Sequence, residues 1–448
     1  MRSSAQKLDG LHRSVVVIGG GQAGLSMSYC LVYRGIDHIV LEQQQVAHEW
    51  ADRRWDTFCL VTPNWQCQLP GFSYQGNDPD GFMVRDEIVA YLRAYAASFG
   101  PPLVEGVAAT RLRQRREGGF TIETTVGTLT ADQVVLATGP YQVPLRPRSA
   151  DRLPEGLVQL HSSEYQCPEQ LPDGEVLVIG TGQSGCQVAE DLHLAGRTVH
   201  LAVGSAPRVA RRYRGRDVVA WLEDLGYYRK GIEEFDDADA VRFRANHYVT
   251  GRDGGHDIDL RQFALEGMHL YGRLLDIRAG QLMFETDLAK NLDGADAVSE
   301  GIKDSIDSHI SKIGASAPTE ARYQPVWRPD EEITELELAS TGITSVVWST
   351  GFGRDHRWID IPVFDGRGYP THNRGVTSCP GLYFLGLPWQ HTWGSGRFNG
   401  VGNDARYLAD QIVGLRISGG GHDVRWLAGT PTSTYPADDD WIAPRTVA

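Results

Sequence analysis

Short apolar runs without polar alternation recur along the chain, separated by longer amphipathic stretches. Val15–Ile18, Ile39–Leu41, Val134–Ala137, Val176–Ile179, Val199–Val203, Val346–Trp348 and Leu382–Leu387 are such runs. Unbroken apolarity of this length predicts parallel strands covered on both faces. Between them, Arg85–Ser98 carries Ile88, Val89, Tyr91, Leu92 and Tyr95 at helical spacing, and further helices are predicted over Gln22–Tyr33, Asp217–Leu225, Arg261–Arg273, Ala297–Ile313 and about Asn403–Val413. Alternating residues around Gly118–Asp132 predict a β-meander inserted into the first part of the chain. The pattern is that of an α/β protein.

Two of the apolar runs lead into the same glycine spacing. Val15–Ile18 is followed by Gly19, Gly21, Gln22, Ala23 and Gly24, and Val176–Ile179 by Gly180, Gly182, Gln183, Ser184 and Gly185. A strand, a G-x-G-x-x-G turn and a helix together form a dinucleotide cradle: the helix amides meet a pyrophosphate that a side chain would otherwise block. Two Rossmann-like domains are therefore expected. In the first, Glu42 ends the next strand about 20 residues on, where a carboxylate meets a ribose hydroxyl. In the second, the corresponding strand ends in Gly204-Ser205, with Arg208, Arg211 and Arg212 beyond. A hydroxyl and guanidinium groups suit a 2′-phosphate, so this half leans towards NADP over NAD.

Ala137-Thr138-Gly139 and Ser349-Thr350-Gly351 end later strands, and prolines 140, 144 and 147 mark a crossing between domains. The expected boundaries are 13–145 with 338–415 for the first domain, and 146–337 for the second, with a largely helical insertion at about 213–330. Residues 1–12 and 418–448 read as flexible or peripheral tails. The segment from His48 to Gly71 is too rich in Trp and Arg for a linker; Arg53 and Arg54 could meet cofactor phosphates or a substrate carboxylate, or make surface salt bridges. Gly386, Trp389, His391 and Trp393 precede the last helix and could line a cavity or seal the core.

The 448 residues carry 43 basic and 57 acidic side chains, a net charge of −14, which argues against nucleic acid or an anionic membrane as partner. No apolar h-region or membrane span is evident, so a cytoplasmic protein is expected. Six cysteines lie apart with no C-x-x-C, and neither a metal site nor a dithiol is signalled.

With both glycine motifs, the two Thr-Gly strand ends and His161-x-x-x-Tyr165 before the second motif, the chain resembles the class B flavoprotein monooxygenases, the flavin-containing and YUCCA-type enzymes. Arg54–Trp65, Gly251-Arg252-Asp253-Gly254-Gly255 and Gly386–Trp389 resemble a bacterial FMO-like subgroup found in gene clusters with a nitrilase. The resemblance implies FAD on the first motif and NADPH on the second. It implies oxygen activation as a flavin C4a-(hydro)peroxide, in a site from which water is excluded. The residues it points to as cofactor-binding are Gly19, Gly21, Gln22, Ala23, Gly24, Glu42, Arg54, Trp55, Thr138 and Gly139, then Gly180, Gly182, Gln183, Ser184, Gly185, Ser205, Arg208, Thr350, Gly351, Gly386 and Trp393. As catalytic residues it points to Asn64, His161 and Tyr165. Only the second half of the F-x-G-x-x-x-H-x-x-x-(Y/F) fingerprint is present, and the family's flavin-side Asn position falls near Val61, three residues before Asn64. A domain-linker role for His161 stays open beside a catalytic one.

Tyr165, where Baeyer–Villiger enzymes carry Trp, favours heteroatom oxygenation. The expected reaction is oxygenation of a small nucleophile, an amine or amino-acid-like nitrogen, with small-molecule substrate and dioxygen as partners and a homodimer as the protein partner in view. An NAD(P)H oxidase or reductase, Baeyer–Villiger or S-oxygenation, and a non-catalytic flavin-binding regulator are the alternatives.

Overall fold

The computed structural model describes residues 8–415. Two sheets of parallel strands carry the fold. In the first, His12–Ile18 is flanked by His38–Glu42 and Gly127–Leu136, with Leu103–Glu105 outside the former and Leu382–Phe384 beside the latter, all parallel. Ala109–Gln114, Phe120–Thr124 and the start of Gly127–Leu136 form the expected meander. The continuous apolarity of these strands has a simple cause. Val15, Val17, Val40 and Val135 pack with Leu25, Met27 and Leu31 of the helix Gln22–Val32, whereas Val16, Ile18, Ile39, Leu41 and Val134 point to the other face and pack with Phe120, Ile122 and Leu129 of the meander. Both faces are thus dry, and each buried aliphatic side chain contributes roughly 1.5–3 kcal/mol.

The second sheet repeats this plan in the order Val158–His161, Ile343–Trp348, Glu175–Ile179, Val199–Ala202 and His269–Tyr271, all parallel. Val176, Val178, Val199, Leu201 and Val347 face the helix Gln183–Leu194, and Leu177, Ile179, Val346 and Trp348 face a three-stranded antiparallel sheet built from Leu274–Arg278, Gln281–Phe284 and Glu335–Glu337.

Three expectations change. Ile343–Trp348 lies inside the second sheet, so the return to the first domain comes in the segment after Trp348 and not at 338; an apolar strand does not announce which sheet will receive it. The insertion is less helical than its pattern implied. The helix Leu260–Leu265 stops early, because His269–Tyr271 becomes the fifth strand of the sheet, while the last insertion helix starts earlier, at Leu288, and runs to Ile313. At the N-terminus, Leu8 is fully buried among Val107, Leu112 and Leu129, Leu11 packs beside it, and the first strand begins at His12, so this stretch is anchored to the core by Leu8 and Leu11. Residues 1–7 and the expected tail 418–448 lie outside the described residues. No helix among the described residues is long and apolar enough to cross a membrane.

The burial of Leu8 predicts that Leu8→Ala lowers stability by about 2–4 kcal/mol. A urea unfolding series would show this as a lower midpoint at unchanged slope; a loss under about 0.5 kcal/mol would place Leu8 outside the cooperative core.

Candidate functional site

The two glycine turns are built alike, and each glycine has its own reason. A Cβ on Gly24 would lie 1.8 Å from the Gly19 carbonyl oxygen, and one on Gly185 would lie 1.9 Å from that of Gly180. These third glycines let helix and turn touch. Gly19 and Gly180 have φ of +111° and +102°, and a Cβ on either would strike the backbone at Ala137 or Ser349. Both turns therefore sit directly against the strand ends Ala137-Thr138-Gly139 and Ser349-Thr350-Gly351. At Gly21 and Gly182 a Cβ would meet nothing within 4 Å. The space that the middle glycines leave open, before helix amides with their positive dipole end, has the form a pyrophosphate needs. Glu42 accepts hydrogen bonds from the Gly20 amide at 2.6 Å and the Gln44 amide at 2.8 Å, which fixes the first turn and leaves carboxylate lone pairs for a ribose. On the second turn, Gln183 Nε2 donates to the Val249 carbonyl at 2.5 Å, and among the described residues the Ser184 hydroxyl makes no protein hydrogen bond. The donor sets fit two dinucleotides.

The chain crosses between the sheets twice, and the crossings pair with each other: Val143–Pro144 runs antiparallel to Phe352–Gly353. Gln142 Nε2 donates to the Thr138 hydroxyl and the Gly139 carbonyl, both at 2.9 Å, and Thr350 Oγ1 donates to the Leu145 carbonyl. His161 locks this ribbon. It is fully buried, donates from Nε2 to the Gly351 carbonyl at 3.0 Å and accepts at Nδ1 from the Ser163 hydroxyl at 2.9 Å. Burial pushes its pKa below the ordinary histidine value. Both ring nitrogens are thus engaged within the crossover.

Tyr165 is likewise committed. Its hydroxyl donates at 2.6 Å to Asp191 Oδ2. Asp191, buried in the second glycine helix, also accepts from the Thr57 hydroxyl at 2.6 Å and from Arg252 Nη1 at 2.9 Å. One carboxylate thus ties together the Trp/Arg-rich segment, the linker, the glycine helix and the Gly251–Gly255 loop. That loop needs its glycines for contact: a Cβ on Gly251 would lie 2.0 Å from the Leu60 carbonyl oxygen. Arg211 adds a hydrogen bond to the Val61 carbonyl at 2.7 Å and one to Asp217 at 2.5 Å. Glu190, beside Asp191, is paired with His256 at 2.7 Å. The sequence reading passed over Asp191, although two adjacent acids on the buried stretch Cys186–Leu192 were a usable signal.

The structure gives three further candidates protein partners of their own. Asn64 accepts at Oδ1 from the Met83 amide at 2.7 Å and donates from Nδ2 to the Asp78 carbonyl at 2.9 Å, so its amide pins a loop. Trp55 is buried in the core beside the second sheet, edge-on to Phe58 with centroids 5.0 Å apart. Arg208 is buried with Nε 2.7 Å from Asp296 and its guanidinium stacked 4.0 Å over the Tyr323 ring. The insertion consumes its charge, as Asp217 does that of Arg211, and of the four residues considered for a 2′-phosphate Ser205 and Arg212 are exposed.

On the first-domain side, Gly386 packs against Ala23, where a Cβ would come within 2.7 Å, and Gln22 Nε2 reaches the Gly396 carbonyl at 3.3 Å. The loop Trp389–Arg397 is thereby held at the start of the first glycine helix. Two half-buried guanidinium groups without an ion pair among the described residues stand here. Arg54 lies among the rings of Trp50, Phe58 and Tyr141, 5.4 to 5.8 Å from their centroids, and Arg397 stacks 3.7 Å over Trp393. Desolvation lowers the pKa of both. Trp389 adopts φ of +51°, a left-handed conformation that costs a bulky residue about 1–3 kcal/mol and collects at functional sites.

Comparison with known proteins agrees with this geometry. The family described as pyridine nucleotide-disulphide oxidoreductase matches residues 16–254. A CzcO-like oxidoreductase of Geobacillus kaustophilus is 34% identical over 403 residues, covering 89% of this chain and 98% of that protein. Indole-3-pyruvate monooxygenase YUCCA1 of Oryza sativa subsp. japonica is 32% identical over 207 residues, 44% of this chain and 49% of that protein. A flavin-containing monooxygenase from Stenotrophomonas maltophilia has the same fold, with a TM-score of 0.62 at 18% identity over 90% of this chain and 99% of that one.

A buried neutral histidine makes stability depend on pH. His161 has its folded pKa depressed, so its contribution is fully present above the unfolded value of about 6.5 and is lost as pH falls below it, at up to about 1.4 kcal/mol per pH unit. His161→Gln should lower stability at pH 8 and flatten its decline below pH 6.5, as read from urea midpoints across a pH series. An unchanged slope would mean that the imidazole is not held neutral.

Proposed function

The chain belongs to the pyridine nucleotide-disulphide oxidoreductase family, and from that premise we propose that it is a flavin-dependent monooxygenase of the class B kind that uses NADPH and dioxygen to oxygenate a small nucleophile, an amine or amino-acid-like nitrogen. The observation that carries this reading is the pair of open glycine turns facing a shared crossover in a protein that lacks a reactive dithiol. All six cysteines are free, and five are buried. Burial raises the thiols of Cys30 and Cys59 to about 11 and that of Cys67 to about 12, values at which they are inert. Disulfide chemistry is thereby disfavoured within the family.

In this reading the Gly21 opening and the amides from Gln22 onward hold the FAD pyrophosphate, and Glu42 takes the ribose. The Gly182 opening, with Gln183 and Ser184, holds NADPH, and Ser205 lies at the end of the strand that meets its adenosine. When bound, FAD accepts hydride from NADPH and activates dioxygen. The chain's own residues bind and orient: the Asp191 junction and the His161 ribbon hold the two turns in one frame, and the aromatic groups around Arg54 and Arg397 keep water from the space between them. A cytoplasmic location is part of the same proposal.

Blocking each opening separately tests the assignment. Gly21→Val should abolish FAD retention, while Gly182→Val should keep FAD and slow flavin reduction by NADPH at least roughly 100-fold. Normal reduction in Gly182→Val would remove the second site. With amine substrates, NADPH consumption should match oxygenated product; hydrogen peroxide equal to the NADPH consumed with every amine tried would make the protein an oxidase.

A further inference from the structure

The insertion contains a cavity of about 670 Å3 between the helix Val218–Asp224 and the long helix Leu288–Ile313. One wall is apolar, with Leu222, Leu225 and Ile302. The lining also carries Arg229, Lys230 and Arg244 against a single carboxylate, Glu234. In a chain of net charge −14 a cationic cavity is against the general trend. The basic groups are not equivalent. Arg229 is paired with Glu223 at 2.5 Å, and Lys230 lies 4.1 Å over the Phe235 ring. Glu234 is spent on the Gly231 amide at 2.7 Å. Arg244 has no hydrogen-bonding or ion-pair partner among the described residues, and its charge bears on Tyr227 and His247.

The cavity abuts the first-domain loop. Tyr227, a lining residue, meets Trp389 edge-on with centroids 6.2 Å apart, and Tyr228 packs on Trp393 at 4.7 Å. The Ile232 amide donates to the His391 carbonyl at 2.6 Å. Arg397 reaches across to Asn246 at 2.8 Å, and its backbone neighbour Gly396 accepts from Gln22 of the first glycine helix. The cavity's lining thus touches the strained Trp389 loop, which in turn packs on the first glycine helix.

We propose that this cavity is a ligand-binding site and that it selects small molecules with an apolar or aromatic body and a carboxylate, the body lying against Leu222, Leu225 and Ile302 and the carboxylate on Arg244. The binding preference stands on the cavity itself and is independent of the oxygenase reading. The free fork of Arg244 matches a carboxylate bidentately, and the apolar wall supplies the area that a bare anion would not use.

The test uses the FAD-loaded full chain and a pair of probes of one shape, phenylacetate and its neutral amide, with affinity read by titration calorimetry. Phenylacetate should bind at least roughly tenfold more tightly than phenylacetamide. Arg244→Ala should bring the two within about twofold, and Arg244→Lys should restore part of the difference. The Arg244 side chain is exposed, and an unchanged FAD content and circular dichroism spectrum would verify that the variants fold. Equal affinity in the wild type, no binding of either probe, or a preference that survives Arg244→Ala would each overturn the proposal. None of these readouts needs turnover. A carboxylate preference in a protein that releases only peroxide would keep the cavity assignment and sink the oxygenase reading.

Discussion

A carboxylate removed from water must be met by donors on nearly every side, or its burial costs several kcal/mol. Asp191 meets this condition with the hydroxyls of Thr57 and Tyr165 and the guanidinium of Arg252, and each donor comes from a different part of the chain. The glycine helix that bears Asp191 is the helix whose first amides face the second opening. The groups that satisfy the charge therefore also fix where that opening lies relative to the segment after Glu42 and to the insertion loop. The fingerprint tyrosine and the Gly251–Gly255 loop find their common purpose at this carboxylate.

The two halves differ in how they reach the same turn. In the first, the acid Glu42 accepts from the turn's Gly20 amide, and a loop from the far end of the described chain, Gly386 to Arg397, packs on the helix start. In the second, the helix start is held by Gln183 reaching Val249 in the insertion. The insertion thus serves both halves: it steadies the second turn from one side, and through Tyr228 and Ile232 it lies against the loop of the first. A region that departs from the repeated pattern is what couples the two copies.

The glycine turns, Glu42 and the strand ends could be read in the sequence because backbone geometry dictates residue identity there: Gly24 and Gly185 admit no Cβ, and the strand faces require apolar residues throughout. Polar side chains follow no such rule. Asn64, His161, Tyr165 and Arg208 looked like chemistry because of their types and positions, yet each is committed to a partner that only the tertiary fold supplies, a loop amide, a crossover carbonyl, Asp191 or Asp296. The same limit hid the allegiance of Ile343–Trp348. Its apolarity marked it as a buried strand, but the sheet it joins depends on the path taken by everything between.

That strand's position governs how the protein can come into being. Val158–His161 has no neighbour in its sheet other than Ile343–Trp348, which lies between it and Glu175–Ile179. During synthesis the ribosome must therefore deliver the whole insertion before the second sheet can close, and Leu382–Phe384 arrives later still to complete the first. Until then both sheets present unpaired apolar edges, the kind that associate with other chains. The nascent protein needs shelter for most of its translation, and a ribosome that stalls within the insertion leaves behind a fragment with two exposed edges and no means of hiding either.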